Sequence, residues 1–149
     1  MKEVQGRATA KLDVPPEDCY ELLAAIERYP AWFEMVREVE ILEAERNGTP
    51  GRVRAAVHVP KSPFGKDFEL FMAVRTERPV TITLTRLPQG QSDPDRLELI
   101  WRVAGEVSTE LELEFEAAAS FVPGFLPLGD AGDAVARAAI EAARDALTR

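Results

Sequence analysis

The sequence has very few of the side chains that most catalytic and metal sites require. Among its 149 residues there is one cysteine, Cys19, and one histidine, His58. A single cysteine excludes a disulfide within the chain and speaks against a structural zinc site. One cysteine and one histidine are too few for most catalytic triads and metal centres that use clusters of these residues, so such sites are nearly excluded. We therefore expect neither a metal ion nor a cofactor.

Long apolar runs and an excess of positive charge are missing as well. No stretch approaches the ~20 apolar residues that a membrane-spanning helix needs. The N-terminal segment lacks the apolar centre of a signal peptide, so we interpret the protein as cytoplasmic. The 18 Lys and Arg residues are outnumbered by 26 Asp and Glu, for a net charge of −8. Nucleic acid is not an expected partner, because phosphate binding needs a clustered positive field.

What the sequence does have is the composition of one folded domain. Hydrophobic residues make up 46% and charged residues 30% of the chain. A domain of this length buries roughly 68–70% of its unfolded surface, so it can form a core without disulfides. No repeat, low-complexity tract or linker divides the chain. We therefore predict a single domain over residues 1–149, as a monomer or a homodimer.

The first part of the chain predicts a strand followed by two short helices. Residues 4–14 alternate between apolar and polar, which is typical of a half-buried strand. Pro15 and Pro16 stop this strand and suit the first turn of a helix, where a missing N–H costs nothing. Tyr29-Pro30 breaks that helix, and residues 31–36 are expected to form a second short one.

From residue 37 to about residue 121 the pattern predicts one strand after another. Asn47-Gly48 is a strong hairpin signal, because both residue types tolerate a positive φ. Consecutive strands with short connections indicate an antiparallel meander. Residues 122–129 are interpreted as an apolar loop, after which Asp130 or Gly132 caps a helix from about Asp133 to Leu147.

The last helix suggests a space between the helix and the sheet. Its apolar side consists mostly of alanine, whereas the strand faces expected to meet it carry large side chains such as Phe68, Met72, Trp101 and Phe115. Large side chains prevent close approach everywhere, and unfilled volume beside a curved sheet is a pocket. The alternative is that these side chains fill the gap completely, and the composition leaves both open.

Two stretches resemble a known family. Residues 12–42, LDVPPEDCYELLAAIERYPAWFEMVREVEIL, with the corner Tyr29-Pro30-Ala31-Trp32, are similar to the opening of SRPBCC or START-like proteins, in particular the polyketide cyclase/dehydrase and lipid-transport branch. The ending LELEFEAAASFVPGFLP, followed by a helix rich in Ala and Arg, resembles the close of the same family. These motifs specify the fold well and the chemistry poorly.

The resemblance implies an α+β helix-grip fold. In this fold a curved antiparallel sheet of about seven strands wraps around a long C-terminal helix, with two short helices after the first strand. It also implies a deep apolar cavity for a lipid, an isoprenoid or a polyketide-like molecule. We expect seven residues to contact such a ligand: Trp32, Phe68, Met72, Trp101, Phe115, Phe125 and Ile140.

Some of these residues have equally simple structural roles. Trp32 is expected either to contact ligand or to anchor the Tyr-Pro corner onto the sheet, as large aromatic side chains often do. Phe125 either gates the entrance or plugs the end of the core. His58 and Arg54 are the candidate catalytic residues. The alternation of their strand, however, places both opposite Val53, Ala55 and Val57, on a solvated face.

Three functions are compatible with these sequence features. The first is a non-catalytic binder or carrier of a hydrophobic small molecule, which needs only a cavity. The second is a polyketide aromatase/cyclase, a lyase or isomerase that would need ionisable groups inside the cavity or would rest on positioning of the substrate. The third is a protein-interaction module of the ribosome-associated toxin type. The apolar inner faces favour the binder, and an ionisable side chain inside the cavity would favour the cyclase.

Overall fold

Strands make up most of the architecture. The structure is a computed structural model that describes residues 2–46, 48–58, 68–77, 80–119 and 131–148. In chain order its elements are β1 (Lys2–Leu12), α1 (Pro16–Ala24), a 3-10 helix (Ile26–Ala31), β2 (Val36–Ala44), β3 (Pro50–Val57), β4 (Phe68–Glu77), β5 (Thr81–Arg86), β6 (Arg96–Ala104), β7 (Thr109–Ala119) and α2 (Ala131–Leu147).

All seven strands form one antiparallel sheet in the order β1-β7-β6-β5-β4-β3-β2. From β2 to β7 each strand pairs with the next along the chain, which is the predicted meander. β1 instead pairs with β7 over its whole length, from Lys2 opposite Ala119 to Leu12 opposite Thr109. β1 and β2 are therefore the two edges, and the predicted helix-grip architecture is confirmed.

The sheet has an inner face that meets the helices and an outer face that meets water. Because side chains alternate along a strand, every second residue belongs to the inner face. Buried inner-face residues include Ala8, Leu12, Val53, Ala55, Leu70, Met72, Val74, Ile82, Leu84, Trp101, Val103, Leu111, Leu113 and Phe115. All of these except Ala55 form one core with α1, the 3-10 helix and the buried side of α2.

The corner between α1 and β2 differs from the prediction. α1 does begin at the prolines, with Pro15 as its N-cap and Pro16 in its first turn. The second helix, however, is a 3-10 helix that comes before the expected position and contains Pro30. Pro30 removes one N–H from this helix, and the helix ends one residue later, where the amides of Trp32 and Phe33 both donate to the Tyr29 carbonyl, at 3.1 and 2.7 Å.

α2 begins where its backbone meets edge strand β1. A side chain added at Gly6 would collide with the Gly132 carbonyl, and one added at Gly132 would collide with the Gln5 carbonyl. Only glycine fits at both points, which explains a glycine inside a strand. Asp133 in the first turn of α2 accepts a 3.0 Å hydrogen bond from the Arg7 amide. Gly132 thus lies inside the helix and holds it against the strand, rather than capping it as expected.

Candidate functional site

The inner face is packed unevenly from one end of the strands to the other. At the end of β1 and the start of β7, the closed end, Leu12, Val103, Thr109 and Leu111 are each 1–3% exposed. At the opposite end, the open end, apolar inner-face residues are only half-buried: Val4, Val36, Val57, Leu97 and Leu99. Among the described residues, the large apolar side chains of the inner face that are only half-buried therefore cluster at the open end.

α1 and one hydrogen bond seal the closed end. Cys19 and Leu23 on the buried side of α1 have no exposed surface. The Thr109 hydroxyl donates to the Val14 carbonyl at 2.8 Å, which ties the start of β7 to the segment that follows β1. Burial raises the pKa of the Cys19 thiol to about 12, so it stays protonated at neutral pH. Cys19 is a core residue and supplies no nucleophile.

Tyr29 connects the 3-10 helix to the middle of the inner face. Its side chain is buried, and its hydroxyl donates to the Leu23 carbonyl at 2.6 Å. The side chain of Trp101 on β6 lies near the same hydroxyl and acts to lower its pKa. Burial raises the pKa of Tyr29 well above its ordinary value. The hydroxyl is committed to these contacts and remains un-ionised, so it serves as a structural hydrogen-bonding group.

Trp32 lies beside this centre with its indole N–H unsatisfied. The ring is half-buried against the core, 4.9 Å from the Tyr29 ring centroid and 5.8 Å from that of Phe33. Within the described part of the chain, the Trp32 nitrogen is the one buried side-chain polar atom without a hydrogen-bond partner. Leaving a buried donor unmatched costs about 1–3 kcal/mol, so this atom requires an explanation.

An ion pair lies at the open end as well. Arg86 ends β5 opposite Met72, which places it in the register of the inner face. Its side chain is only 11% exposed; it donates to an Asp93 carboxylate oxygen at 2.8 Å and to the Asp95 carbonyl at 2.9 Å. The hydrogen bonds from Arg86 and from the Gln89 and Asp95 amides lower the pKa of Asp93 to about 2. The pair is therefore fully charged at neutral pH.

The sequence prediction overlooked Arg86. Ile82 and Leu84 lie on the inner face, and the same alternation carried two residues further reaches Arg86. The expectation that the inner faces are almost entirely apolar is thus corrected at this position. The charge is tolerated there because its guanidinium is matched by a carboxylate and a carbonyl instead of being buried alone.

Five of the seven residues expected to contact ligand can be located with their side chains. Met72, Trp101, Phe115 and Ile140 are buried in the core between the sheet and α2, at 2–8% exposure, and Trp32 is half-buried beside it. Phe125 and the side chain of Phe68 lie outside the described residues. The structure thus brings the located five to the inner side, and their contact with a ligand stays a prediction.

Of the two candidate catalytic residues, Arg54 lies on the outer face and His58 lies just beyond the end of β3. Arg54 is aligned with Phe71 of β4 on the outer face, as its alternation predicted. It forms ion pairs with Glu38 at 2.9 Å, Glu69 at 3.4 Å and Glu40 at 3.5 Å. His58 follows the last residue of β3, is half-buried, and its amide donates to the Met35 carbonyl at 2.7 Å. Because Arg54 lies on the outer face, its position does not support a catalytic role at an inner cavity.

Grooves of a different kind lie where β4 meets β3, β5 and the turn between β2 and β3. Two adjoining depressions of about 600 and 530 Å³ share Glu45, Val74 and Arg75, and threonines, arginines and glutamates make up much of the remaining lining. Acidic and basic groups alternate around them, which is typical of a hydrated surface. These grooves are not the apolar space that the sequence predicted.

The described residues contain no group of three or more His, Cys, Asp or Glu side chains placed to hold a metal ion. Among the helices of the described part of the chain, none has the length and apolar character needed to cross a membrane.

Comparison with known families identifies the fold. Residues 12–148 match the family described as polyketide cyclase / dehydrase and lipid transport. The chain belongs to this family. The resemblance of the Tyr-Pro-Ala-Trp corner and of the C-terminal segment is therefore confirmed. No curated protein matches this chain.

Solved structures share the fold at low sequence identity. A START superfamily protein from Mycobacterium smegmatis is 18% identical with a TM-score of 0.73, and the match covers 97% of each chain. A conserved protein from Geobacillus kaustophilus is 11% identical with a TM-score of 0.72, over 97% of this chain and 95% of that one. The Zhui aromatase/cyclase from a Streptomyces species is 21% identical with a TM-score of 0.62, over 99% and 87%. At these identities the likeness concerns the fold.

Proposed function

We propose that the protein binds a hydrophobic small molecule, such as a lipid, an isoprenoid or a polyketide-like compound, at the open end of the inner face. One observation carries the proposal: apolar inner-face residues are half-buried at the open end, although the closed end of the same sheet is packed to 1–3% exposure. Each Å² of apolar surface covered by a ligand contributes roughly 25 cal/mol, so such a surface favours an apolar molecule.

The family and the polar groups of the inner side agree with a binder. The family description includes lipid transport. Tyr29 and Asp93 are not poised for proton transfer at neutral pH, since the Tyr29 pKa is raised by burial and the Asp93 pKa is lowered to about 2. Binding requires none of these groups to react.

A polyketide aromatase/cyclase is the second candidate, and Arg86 is the observation that favours it. A cyclase needs a polar group that polarises or orients a carbonyl of its substrate, and Arg86 holds a cation in inner-face register at the open end. The Zhui aromatase/cyclase shares the fold. Because Arg86 already donates to Asp93 and to the Asp95 carbonyl, a substrate would have to share or displace these contacts.

The binding proposal is tested by titration with N-phenyl-1-naphthylamine, a neutral apolar dye whose fluorescence rises in apolar surroundings. Leu99 faces inward at the open end, and its neighbour Ile100 faces outward. Leu99→Trp fills the proposed site, and Ile100→Trp adds the same bulk to the outer face. Excitation beyond the indole absorption band keeps the added tryptophan out of the signal.

We expect saturable binding by the wild type and by Ile100→Trp, with affinity at least about tenfold lower for Leu99→Trp, because overpacking removes the room a ligand needs. Thermal unfolding confirms that each variant folds, and Leu97→Trp replaces Leu99→Trp if that variant does not. No saturable binding by the wild type, or equal affinity in all folded variants, would contradict the proposal.

A further inference from the structure

The two tryptophans of the chain differ in what their indole N–H groups meet. Trp101 is 3% exposed, and its side chain lies close enough to the Tyr29 hydroxyl to influence the pKa of that group. Trp32 is equally fixed by aromatic contacts, yet its nitrogen is covered and has no partner in the described part of the chain. Buried donors are almost always matched, so an unmatched donor marks a place where a partner from outside the chain fits.

We propose that the bound molecule carries a hydrogen-bond acceptor oxygen, such as a ketone, ester or hydroxyl, and that this oxygen accepts from the indole N–H of Trp32. The inference rests on the proposed function. It narrows the ligand class to oxygenated hydrophobic molecules and assigns Trp32 the role of distinguishing them from plain hydrocarbons. Trp32 is then a ligand-binding residue as well as an anchor of the Tyr-Pro corner.

The surroundings of Trp32 suit an oxygen acceptor. A neutral donor in apolar surroundings gains from any acceptor that reaches it, because no water competes there. An acceptor without charge pays less for leaving water than a carboxylate does. The indole nitrogen is covered by protein, although the Trp32 side chain as a whole is half-buried. The ring, or the residues that cover its nitrogen, therefore has to shift when a ligand binds, so that the acceptor oxygen can approach. A purely apolar ligand would leave the donor unmatched and would lose this contribution.

The test compares two probes that differ by one oxygen, fluorenone and fluorene. Both are flat tricyclic molecules, and only fluorenone has a carbonyl. The affinity of each is measured by calorimetry for the wild type and for Trp32→Phe, which keeps an aromatic ring and removes the N–H. Taking the ratio of the two affinities in each protein cancels the difference in water solubility between the probes.

We expect the preference for fluorenone to fall by about five- to tenfold in Trp32→Phe, as loss of one neutral hydrogen bond at a covered site implies. An unchanged preference, with both probes still binding, would assign the Trp32 donor to a water molecule and overturn this inference while leaving the proposed function intact. If neither probe nor the naphthylamine dye binds the wild type, the proposed function itself fails.

A second measurement uses the unmodified protein, in case Trp32→Phe does not fold. The chain has two tryptophans, so a ¹⁵N–¹H spectrum contains two indole N–H signals. Fluorenone should move the Trp32 proton downfield, and fluorene should not. The Trp101 signal is the internal control because its side chain is buried in the core beside the Tyr29 hydroxyl. Identical responses of the Trp32 proton to both probes would contradict the proposed hydrogen bond.

Discussion

The closed and open ends of the inner face are formed by the same strands and by the same kinds of residue, but they are packed differently. On β6, Val103 is 3% exposed, whereas Leu97 on the same face is half-buried. The difference follows from what covers each end: α1 fills the closed end with Cys19 and Leu23, and the described residues leave apolar surface accessible at the open end. One sheet thus combines a core that stabilises the fold with a surface available to a ligand.

A matched pair of leucine-to-alanine substitutions tests the difference in packing between the two ends, and it has the largest expected effect. Leu111→Ala at the closed end should cost about 2–5 kcal/mol of unfolding free energy, because it opens a cavity in a region that is fully covered. Leu97→Ala, on the neighbouring strand at the open end, should cost about 1 kcal/mol or less, since its side chain is already half exposed to solvent or ligand.

Urea unfolding followed by circular dichroism measures both values. Equal losses at the two ends, or a larger loss at Leu97, would show that the ends do not differ in packing and would remove the main support for a binding surface.

A smaller effect is expected from the charged pair at the open end. Asp93 has a folded pKa of about 2, below its ordinary value of 3.8, because Arg86 and two amides donate to its carboxylate. A lowered folded pKa means that the ionised form stabilises the fold above about pH 4, and that this contribution is lost as the pH falls through about 2. Asp93→Asn should therefore lower the melting temperature by a few degrees at neutral pH and by less in acid.

Thermal unfolding of the wild type and of Asp93→Asn from neutral pH down to about pH 3 measures this trend, with Glu106→Gln in the exposed turn between β6 and β7 as a control. The ¹³C shift of the Asp93 carboxylate gives its titration midpoint directly. A titration midpoint near pH 4, or a difference in melting temperature that stays constant with pH, would show that the ion pair between Arg86 and Asp93 does not stabilise the fold.

Strand alternation predicted the inner and outer faces well because it is a local property. The assignments of Val53 and Ala55 inward, and of Arg54 outward, needed only the period of two. Arg86 was overlooked, although the period pointed to it, because the assignment stopped at the last apolar residue of β5. The signal was present in the sequence.

Other features depend on distant parts of the chain and leave little trace in the pattern. The contact between Gly6 and Gly132 joins residues far apart in sequence; the one local sign is a glycine on the inner face of a strand. The difference between the two ends depends on sheet curvature and on where α1 and α2 lie, which no window of a few residues encodes. The unmatched N–H of Trp32 likewise follows from packing rather than from its place in the Tyr-Pro corner.

The most direct test of the proposed binding surface is a methyl NMR spectrum recorded during titration with fluorenone. Methyl groups of Val4, Val57, Leu97 and Leu99 at the open end should shift on saturable binding, while those of Leu12, Val103 and Leu111 at the closed end stay in place. Shifts confined to the closed end or to the outer face, or no shift at any inner-face methyl, would contradict the proposal that the open end holds the ligand.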